Sequence, residues 1–229
     1  MSKKQTKRSD QRTLEEKFAR RKRAFETISP LPPRTMIFCE GTKTEPHYIQ
    51  AIVDEINQKC RDYAMGNRIK LSGHIQVIGT GRSTTSLLSY AVRNTATGTQ
   101  EVWLVYDHDD FPSDQFNATP RMADSESKKG GTRYHTAWSN ESFELWLLLH
   151  FIPLVSNISR DEYINKLVEY IPGYHKSATD VYSRVKDRVS IAIKNARTLE
   201  AFYDSSANPS DMAPCTKVHL LVEELLFYL

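Results

Sequence analysis

Two groups of acidic side chains stand where predicted β-strands end. Glu40 follows a run of four apolar residues, and the apolar segment 102–106 is followed by Asp107, Asp109 and Asp110. Ligands of parallel α/β sheets bind at the carboxyl ends of the strands, so these carboxylates are expected to meet in one acidic pocket. Mg²⁺ prefers oxygen ligands in octahedral array, which one or two carboxylates, water and phosphate can supply. The spacing therefore predicts a pocket for a hard divalent cation.

Each acidic group, taken alone, has a plain structural explanation, because Glu and Asp often end strands as solvated or helix-capping residues. Together they favour a cation, since three carboxylates within four residues repel one another unless a positive charge offsets them. Asp107 and Asp109 would hold Mg²⁺. Glu40 would bind a second ion or act as a general base, and the sequence leaves both roles open. His108, between the two aspartates, is interpreted as a packing residue.

The composition excludes several classes of protein. The chain has 229 residues, which suits one domain with an added elaboration, and its 39% hydrophobic and 26% charged residues are typical of a soluble globular protein. Its longest apolar run, Leu145–Leu149, is too short to span a membrane, and no secretory signal opens the sequence, so we expect a cytoplasmic protein. Cys39, Cys60 and Cys215 are too far apart for a zinc motif and are expected to be reduced thiols.

The charge is unevenly distributed along the chain. Residues 1–30 contain ten Lys or Arg and four Asp or Glu, a net charge of +6, whereas the other 21 basic and 24 acidic residues give −3. We therefore expect a basic arm at 1–33, with a helix over 14–28. Such an arm suits nucleic acid, because neutralised phosphates release counterions. A solvated tail is the alternative.

After the arm, strand and helix patterns alternate as in a parallel sheet with helices on its faces. The α/β domain is predicted over 34–151, and a helical extension covering one side of the sheet over 152–229, with no further strand. The predicted strands are 34–39, 69–78, 101–106 and 132–138. The predicted helices are 44–60, 84–94, 113–126, 143–151, 159–170, 180–204 and 215–228, and Ser139-Asn140 is expected to cap the fourth.

Several other residues are secondary candidates. Asn140 and Glu144 would share a helix face beside the acidic pocket and, with Asp110, support the metal; a helix cap and a surface salt bridge are their alternatives. Lys43, Arg82 and Lys176 are the candidate contacts to a nucleic-acid backbone. The glycine-rich turn that contains Arg82 needs no ligand, and no P-loop motif is present, so ATP hydrolysis would require another subunit.

The chain contains three long, ordered motifs. They are Phe38-Cys39-Glu40-Gly41-x-x-Thr44-Glu45-Pro46-x-Tyr48, Val102-Trp103-x-Val105-x-Asp107-x-Asp109-Asp110 and Ser139-Asn140-x-x-Phe143-Glu144-Leu145-Trp146-Leu147-Leu148-Leu149-His150-Phe151. Together they resemble the RloB family, whose relatives include abortive-infection proteins of the AbiL system, and the resemblance runs from about residue 34 almost to the C-terminus. The chain departs from the family pattern at Glu141, where relatives have Pro.

The resemblance implies a Toprim-type, Rossmann-like α/β domain in which Glu40, Asp107 and Asp109 form the acidic signature. It further implies a nuclease that uses Mg²⁺, with Mn²⁺ as a substitute, on DNA or RNA, tRNA included. The family context implies antiphage defence beside an ABC-type ATPase partner. Homo-oligomerisation stays open.

A second hypothesis belongs to a different class. The chain would be a non-catalytic adaptor whose basic arm binds nucleic acid or the ATPase, because a fold does not dictate a function. The charge difference between residues 1–30 and the rest of the chain motivates this alternative.

Overall fold

A computed structural model describes residues 32–67, 75–109 and 112–229, with no account of the side chains of 64–67. The chain divides into two units, Met1–Leu31 and Pro32–Leu229, of which the second is the one described. The predicted helix over 14–28 and Asp110 lie outside the described residues, as does the first part of the strand predicted over 69–78.

The sheet of the described unit has five strands in the order β2-β1-β3-β4-β5, the first four parallel. Their bounds are β1 Thr35–Cys39, β2 Ile75–Gly79, β3 Glu101–Asp107, β4 Arg133–Asn140 and β5 Cys215–Thr216. All residues of β1 and β3 are buried, as expected for central parallel strands covered on both faces. This architecture confirms the predicted α/β class and is consistent with a Rossmann-like fold.

Eight α-helices and two 3₁₀ turns flank the sheet within the described residues. The helices are α1 Thr44–Asn67, α2 Thr84–Asn94, α3 Ser113–Ser127, α4 Phe143–Leu148, α5 Arg160–Tyr170, α6 Val181–Val185, α7 Val189–Glu200 and α8 Val218–Leu226, and the 3₁₀ turns are Lys186–Arg188 and Pro209–Asp211. The single helix predicted over 180–204 is therefore two helices joined by a 3₁₀ turn. In the described part of the chain, no helix is long and apolar enough to cross a bilayer.

Two predictions about the end of the sheet are wrong. Ser139 and Asn140 do not cap a helix, because they are the last residues of β4 and pair with β5; Ser142 is the residue that precedes α4. The segment after 152 also contains a strand, since Cys215–Thr216 pairs antiparallel with β4. A two-residue strand has no hydrophobic period that a sequence could reveal.

Two apolar layers sandwich the sheet because successive strand residues point to opposite faces. Ile37 and Cys39 face a core that includes α1, α4 and helices α5 to α8. Met36 and Phe38 face the other core, which α2 and α3 cover. The C-terminal helices thus pack on one side of the sheet, and they share a core with α1 and α4.

Candidate functional site

The predicted acidic residues meet at the carboxyl edge of the sheet. Strand β1 lies between β2 and β3, so the chain leaves β1 to one side and returns to its other side as β3. This reversal is a topological switch point, where open α/β sheets bind their ligands. Glu40 follows β1, and Asp107 ends β3. The Asp107 amide donates a hydrogen bond of 3.2 Å to Glu40 Oε2, so the two strand ends are in direct contact.

Asp107 is the most enclosed of the three predicted carboxylates. Its side chain is 4% exposed, and its Oδ2 accepts a hydrogen bond of 3.1 Å from the backbone N–H of Phe143, the first residue of α4. Asp107 is also in register with Ser139 of β4. The second oxygen, Oδ1, has no hydrogen-bond donor among the described residues.

A tight turn places Asp109 beside Asp107. Asp109 has a φ of +41°, in the left-handed region that Asp tolerates better than most residues. Its amide donates to the Glu141 carbonyl at 3.2 Å. Between the two aspartates, the His108 ring packs 4.6 Å from that of Phe116, as expected of a packing residue.

The three carboxylates line a cavity of about 250 Å³ that contains more acidic than basic groups. Five carboxylates against three basic side chains give it a formal excess of two negative charges. The acidic lining residues are Glu40, Glu45, Asp107, Asp109 and Glu144; the basic ones are Lys43, Arg160 and Lys176.

Glu45 is a pocket residue that the sequence analysis did not identify. It lies in the first turn of α1 and is 7% exposed. Its carboxylate folds back over Gly41, where an added Cβ would lie 2.2 Å from Glu45 Oε2. Glu45 is part of the sequence motif that begins at Phe38, and this could have pointed to a role in the pocket. An acidic residue in the first turn of a helix is so common, however, that it normally needs no further explanation.

Arg160 is the second unexpected residue, and it comes from the C-terminal helices. Its Nη1 donates to Asp109 Oδ1. Its Nη2 lies 3.9 Å from Asp107 Oδ2, and its Nε lies 3.9 Å from Glu144 Oε2. The guanidinium therefore faces three carboxylates, but it makes a close contact with one.

Burial dominates the electrostatics of the pocket. It raises the pKa of Asp107 well above its ordinary value, and the charges of Glu45 and Asp109 raise it further. Burial also raises the pKa of Glu40 to about 7, although the hydrogen bond from the Asp107 amide opposes this shift. Burial would lower the pKa of Arg160, but the nearby carboxylates raise it. The charged forms of these carboxylates are thus disfavoured, and the half-buried Arg160 offsets only part of that cost.

A sequence model described as RloB-like protein matches residues 35–225. The chain belongs to the RloB-like family. The matched region contains all five strands and every residue that lines the pocket. A search of curated proteins found no match to the chain.

The donor atoms of this RloB-like pocket are of the type that a hard divalent cation uses, but the described side chains are not arranged as a metal site. Its acidic donors are all oxygens, which Mg²⁺ prefers. Two buried oxygens, Asp107 Oδ1 and Glu144 Oε2, accept no hydrogen bond from the described residues. In that same part of the chain, no three Asp, Glu, His or Cys side chains are placed so that they could hold a metal together. The Arg160 guanidinium faces Asp107, Asp109 and Glu144 instead.

The secondary candidates of the RloB-like chain separate into two groups. Lys43, Lys176 and Glu144 line the pocket, and the Tyr174 hydroxyl donates to Glu144 Oε1 at 3.4 Å. The prediction that Asn140 and Glu144 share a helix face is wrong, because Asn140 is the last residue of β4. Its amide donates instead to the carbonyls of residues 209 and 210, both at 3.1 Å.

Arg82 does not line the pocket, contrary to its grouping with Lys43 and Lys176. Its guanidinium lies 4.4 Å from the centroid of the Tyr90 ring, where a cation–π contact holds it. The glycine-rich turn that contains Arg82 contacts the acidic strand end through its backbone, because the Gly81 amide donates to the Glu40 carbonyl at 2.9 Å.

Proposed function

We propose that this RloB-like protein is a Mg²⁺-dependent nuclease that cleaves phosphodiester bonds of DNA or RNA, tRNA included. The observation that carries the proposal is the meeting of Glu40, Asp107 and Asp109 at the switch point of the sheet, beside buried oxygens that accept no hydrogen bond from the described residues. Acidic residues at the ends of β1 and β3 match the arrangement that the resemblance to Toprim-type domains implies, and this supports the assignment.

The pocket residues would divide the work between holding the metal and handling protons. Asp107 and Asp109 would hold Mg²⁺, which polarises a phosphoryl oxygen and neutralises developing charge when bound. Glu40 would bind a second ion or accept the proton of the attacking water. Its pKa of about 7 suits a general base near neutral pH.

The rim of the pocket favours a polyanionic substrate. Lys43 and Lys176 are exposed and line the same cavity as the carboxylates. The Thr44 hydroxyl donates to the Lys176 carbonyl at 2.6 Å and so joins the two rim segments. Ammonium groups so placed would position the phosphate backbone, a type of contact that carries affinity without reading sequence.

The cellular setting of the proposal comes from the family resemblance. We propose that the nuclease is the effector of an antiphage system and acts with an ABC-type ATPase. The sequence supports a separate ATPase subunit because it contains no P-loop motif of its own.

A nuclease assay tests the proposed function directly. The full chain, with its ATPase partner and Mg²⁺ or Mn²⁺, is incubated with DNA and with tRNA. Replacing both metal ligands, Asp107→Asn with Asp109→Asn, should lower divalent-dependent cleavage by more than about 100-fold, because ligands matter more than the groups that support them. Equal cleavage by the wild type and this variant would overturn the assignment.

A matched control makes the same charge change on the surface. Asp54 and Asp62 are exposed residues of α1 that accept hydrogen bonds from Gln50 and Gln58. The double variant Asp54→Asn with Asp62→Asn should cleave like the wild type. A similar loss in both double variants would show a nonspecific effect of charge and would count against the pocket.

A further inference from the structure

We propose that Arg160 competes with the divalent cation for the pocket: it neutralises the carboxylates when no metal is bound, and it must leave Asp109 before a metal binds. This inference rests on the proposed function and adds a means of regulating the same site. The Arg160 guanidinium would then serve as a positive charge that balances the carboxylates until a metal ion replaces it.

Arg160 neutralises the carboxylates of the pocket only in part, as expected of a side chain that a metal could displace. Its close contact is with Asp109, whose side chain is 20% exposed. The deeper carboxylates of Asp107 and Glu144 are 4% and 2% exposed, and both lie 3.9 Å from the guanidinium, beyond hydrogen-bond reach. Arg160 therefore offsets their charge, but within the described part of the chain one oxygen of each carboxylate has no hydrogen-bond donor.

The position of Arg160 in its helix favours the same reading. Arg160 is the first residue of α5, where the helix dipole disfavours a positive charge. Ser159 and Glu162 form a capping box that satisfies this helix start without the arginine side chain. The stability of the helix therefore does not explain an arginine here, whereas the three carboxylates do.

Arg160 also has room to withdraw. Its side chain is 36% exposed, and its flexible stem can carry the charged group into water. Because the capping box fixes the backbone at Ser159, the side chain can move without unwinding α5. Lys43, Lys176 and Tyr174 would stay at the pocket after this movement, since none of them contacts the Arg160 guanidinium through a described ion pair or hydrogen bond.

Metal binding to Arg160 variants of the full chain tests the inference. Mn²⁺ is titrated while the free ion is followed by electron paramagnetic resonance, and the melting temperature is measured with and without Mg²⁺. Removing the charge in Arg160→Gln should tighten Mn²⁺ binding by about tenfold or more. The metal-free variant should melt several degrees lower, and Mg²⁺ should raise its melting temperature more than that of the wild type.

Two further variants make the test decisive. Arg160→Lys keeps the charge but loses the planar fork that faces several carboxylates, so it should bind Mn²⁺ with an affinity between those of wild type and Arg160→Gln. If Arg160→Gln does not fold without metal, the Mn²⁺ affinity of Arg160→Lys relative to the wild type decides whether Arg160 competes with the metal. The control is Arg197→Gln on α7, which removes a surface ion pair with Glu223 and should leave Mn²⁺ affinity unchanged.

The outcomes separate this inference from the proposed function. Tighter Mn²⁺ binding in the order Gln, Lys, wild type supports the competition. Binding by all proteins with no gain in either Arg160 variant overturns the competition and leaves the metal site standing. If neither wild type nor variants bind Mn²⁺ at millimolar concentration, both the metal-dependent function and the competition fail.

Discussion

Glu40 binds its proton more tightly in the folded protein than in the unfolded chain. Burial raises its pKa from 4.5 to about 7. A raised folded-state pKa means that the stabilisation from this group is complete below about pH 4.5 and is lost as the pH rises through about 7. Above about pH 7 the charged Glu40 carboxylate therefore destabilises the metal-free fold, and a bound cation would offset this cost.

Removing that charge should stabilise the metal-free protein. We expect Glu40→Gln to melt at a higher temperature than the wild type at pH 8, with the difference shrinking towards pH 5. The Gln oxygen can still accept the hydrogen bond from the Asp107 amide. Thermal melts in chelator across this pH range measure the effect, with the exposed Glu169→Gln as control. A Glu40→Gln protein that is less stable than the wild type at pH 8 would refute this destabilisation.

Individual residues also show how far the sequence could predict the pocket. Glu40, Asp107 and Asp109 could be placed together because each follows an apolar strand, and parallel strands end at one edge. Arg160 could not, since it is 51 residues from Asp109 and begins a helix whose cap is satisfied by its neighbours. Charge pairing across such a distance leaves no local pattern.

At the scale of elements, the ends of β1 and β2 are packed closely enough to fix the acidic edge. A Cβ on Gly79, the last residue of β2, would lie 2.8 Å from the Gly41 carbonyl oxygen and 2.9 Å from Thr42 Cα. Both are backbone atoms of the turn that follows Glu40. The position of that turn therefore depends on a glycine in the neighbouring strand.

The glycine contacts predict different effects of two similar substitutions. Gly79→Ala should lower the free energy of unfolding by about 1–3 kcal/mol, because backbone cannot easily give way. Gly41→Ala should cost less stability, since its Cβ meets the far end of the Glu45 side chain, which can shift more easily than backbone. Urea unfolding measures both variants. Equal losses of unfolding free energy in the two variants would mean that the turn after Glu40 adapts to a larger residue at position 79 and does not depend on Gly79.

The bounds of three predicted elements agree closely with the structure. The α2 helix has the predicted bounds, and β1 and β3 differ from prediction by one residue at most at each end. One error lies at the end of β4, where Ser139 and Asn140 have polar side chains typical of helix caps; another is the end of α1, which runs to Asn67 instead of the predicted residue 60. The pairing of Ser139 and Asn140 with β5 decides their conformation, and that partner is 75 residues away in the sequence.

At the scale of the molecule, the C-terminal helices complete the pocket as well as the core. The helices of residues 152–229 pack on one side of the sheet, whereas Met212 and Cys215 of the same segment belong to the core on the other side. The same segment contributes Arg160, Tyr174 and Lys176 around the carboxylates. Glu40, Asp107 and Asp109 thus come from the α/β part of the chain, whereas Arg160 and Lys176 come from the C-terminal segment, and both parts must fold to assemble the site.

The central claim is that this pocket binds a divalent metal, and a crystal structure grown with Mn²⁺ tests it most directly. Anomalous scattering at a wavelength suited to manganese locates the ion independently of any assumption about its ligands. We predict a manganese peak in contact with Asp107 and Asp109, with the Arg160 guanidinium withdrawn from Asp109. A pocket without such a peak at millimolar Mn²⁺, with Arg160 still bound to Asp109, would contradict the account.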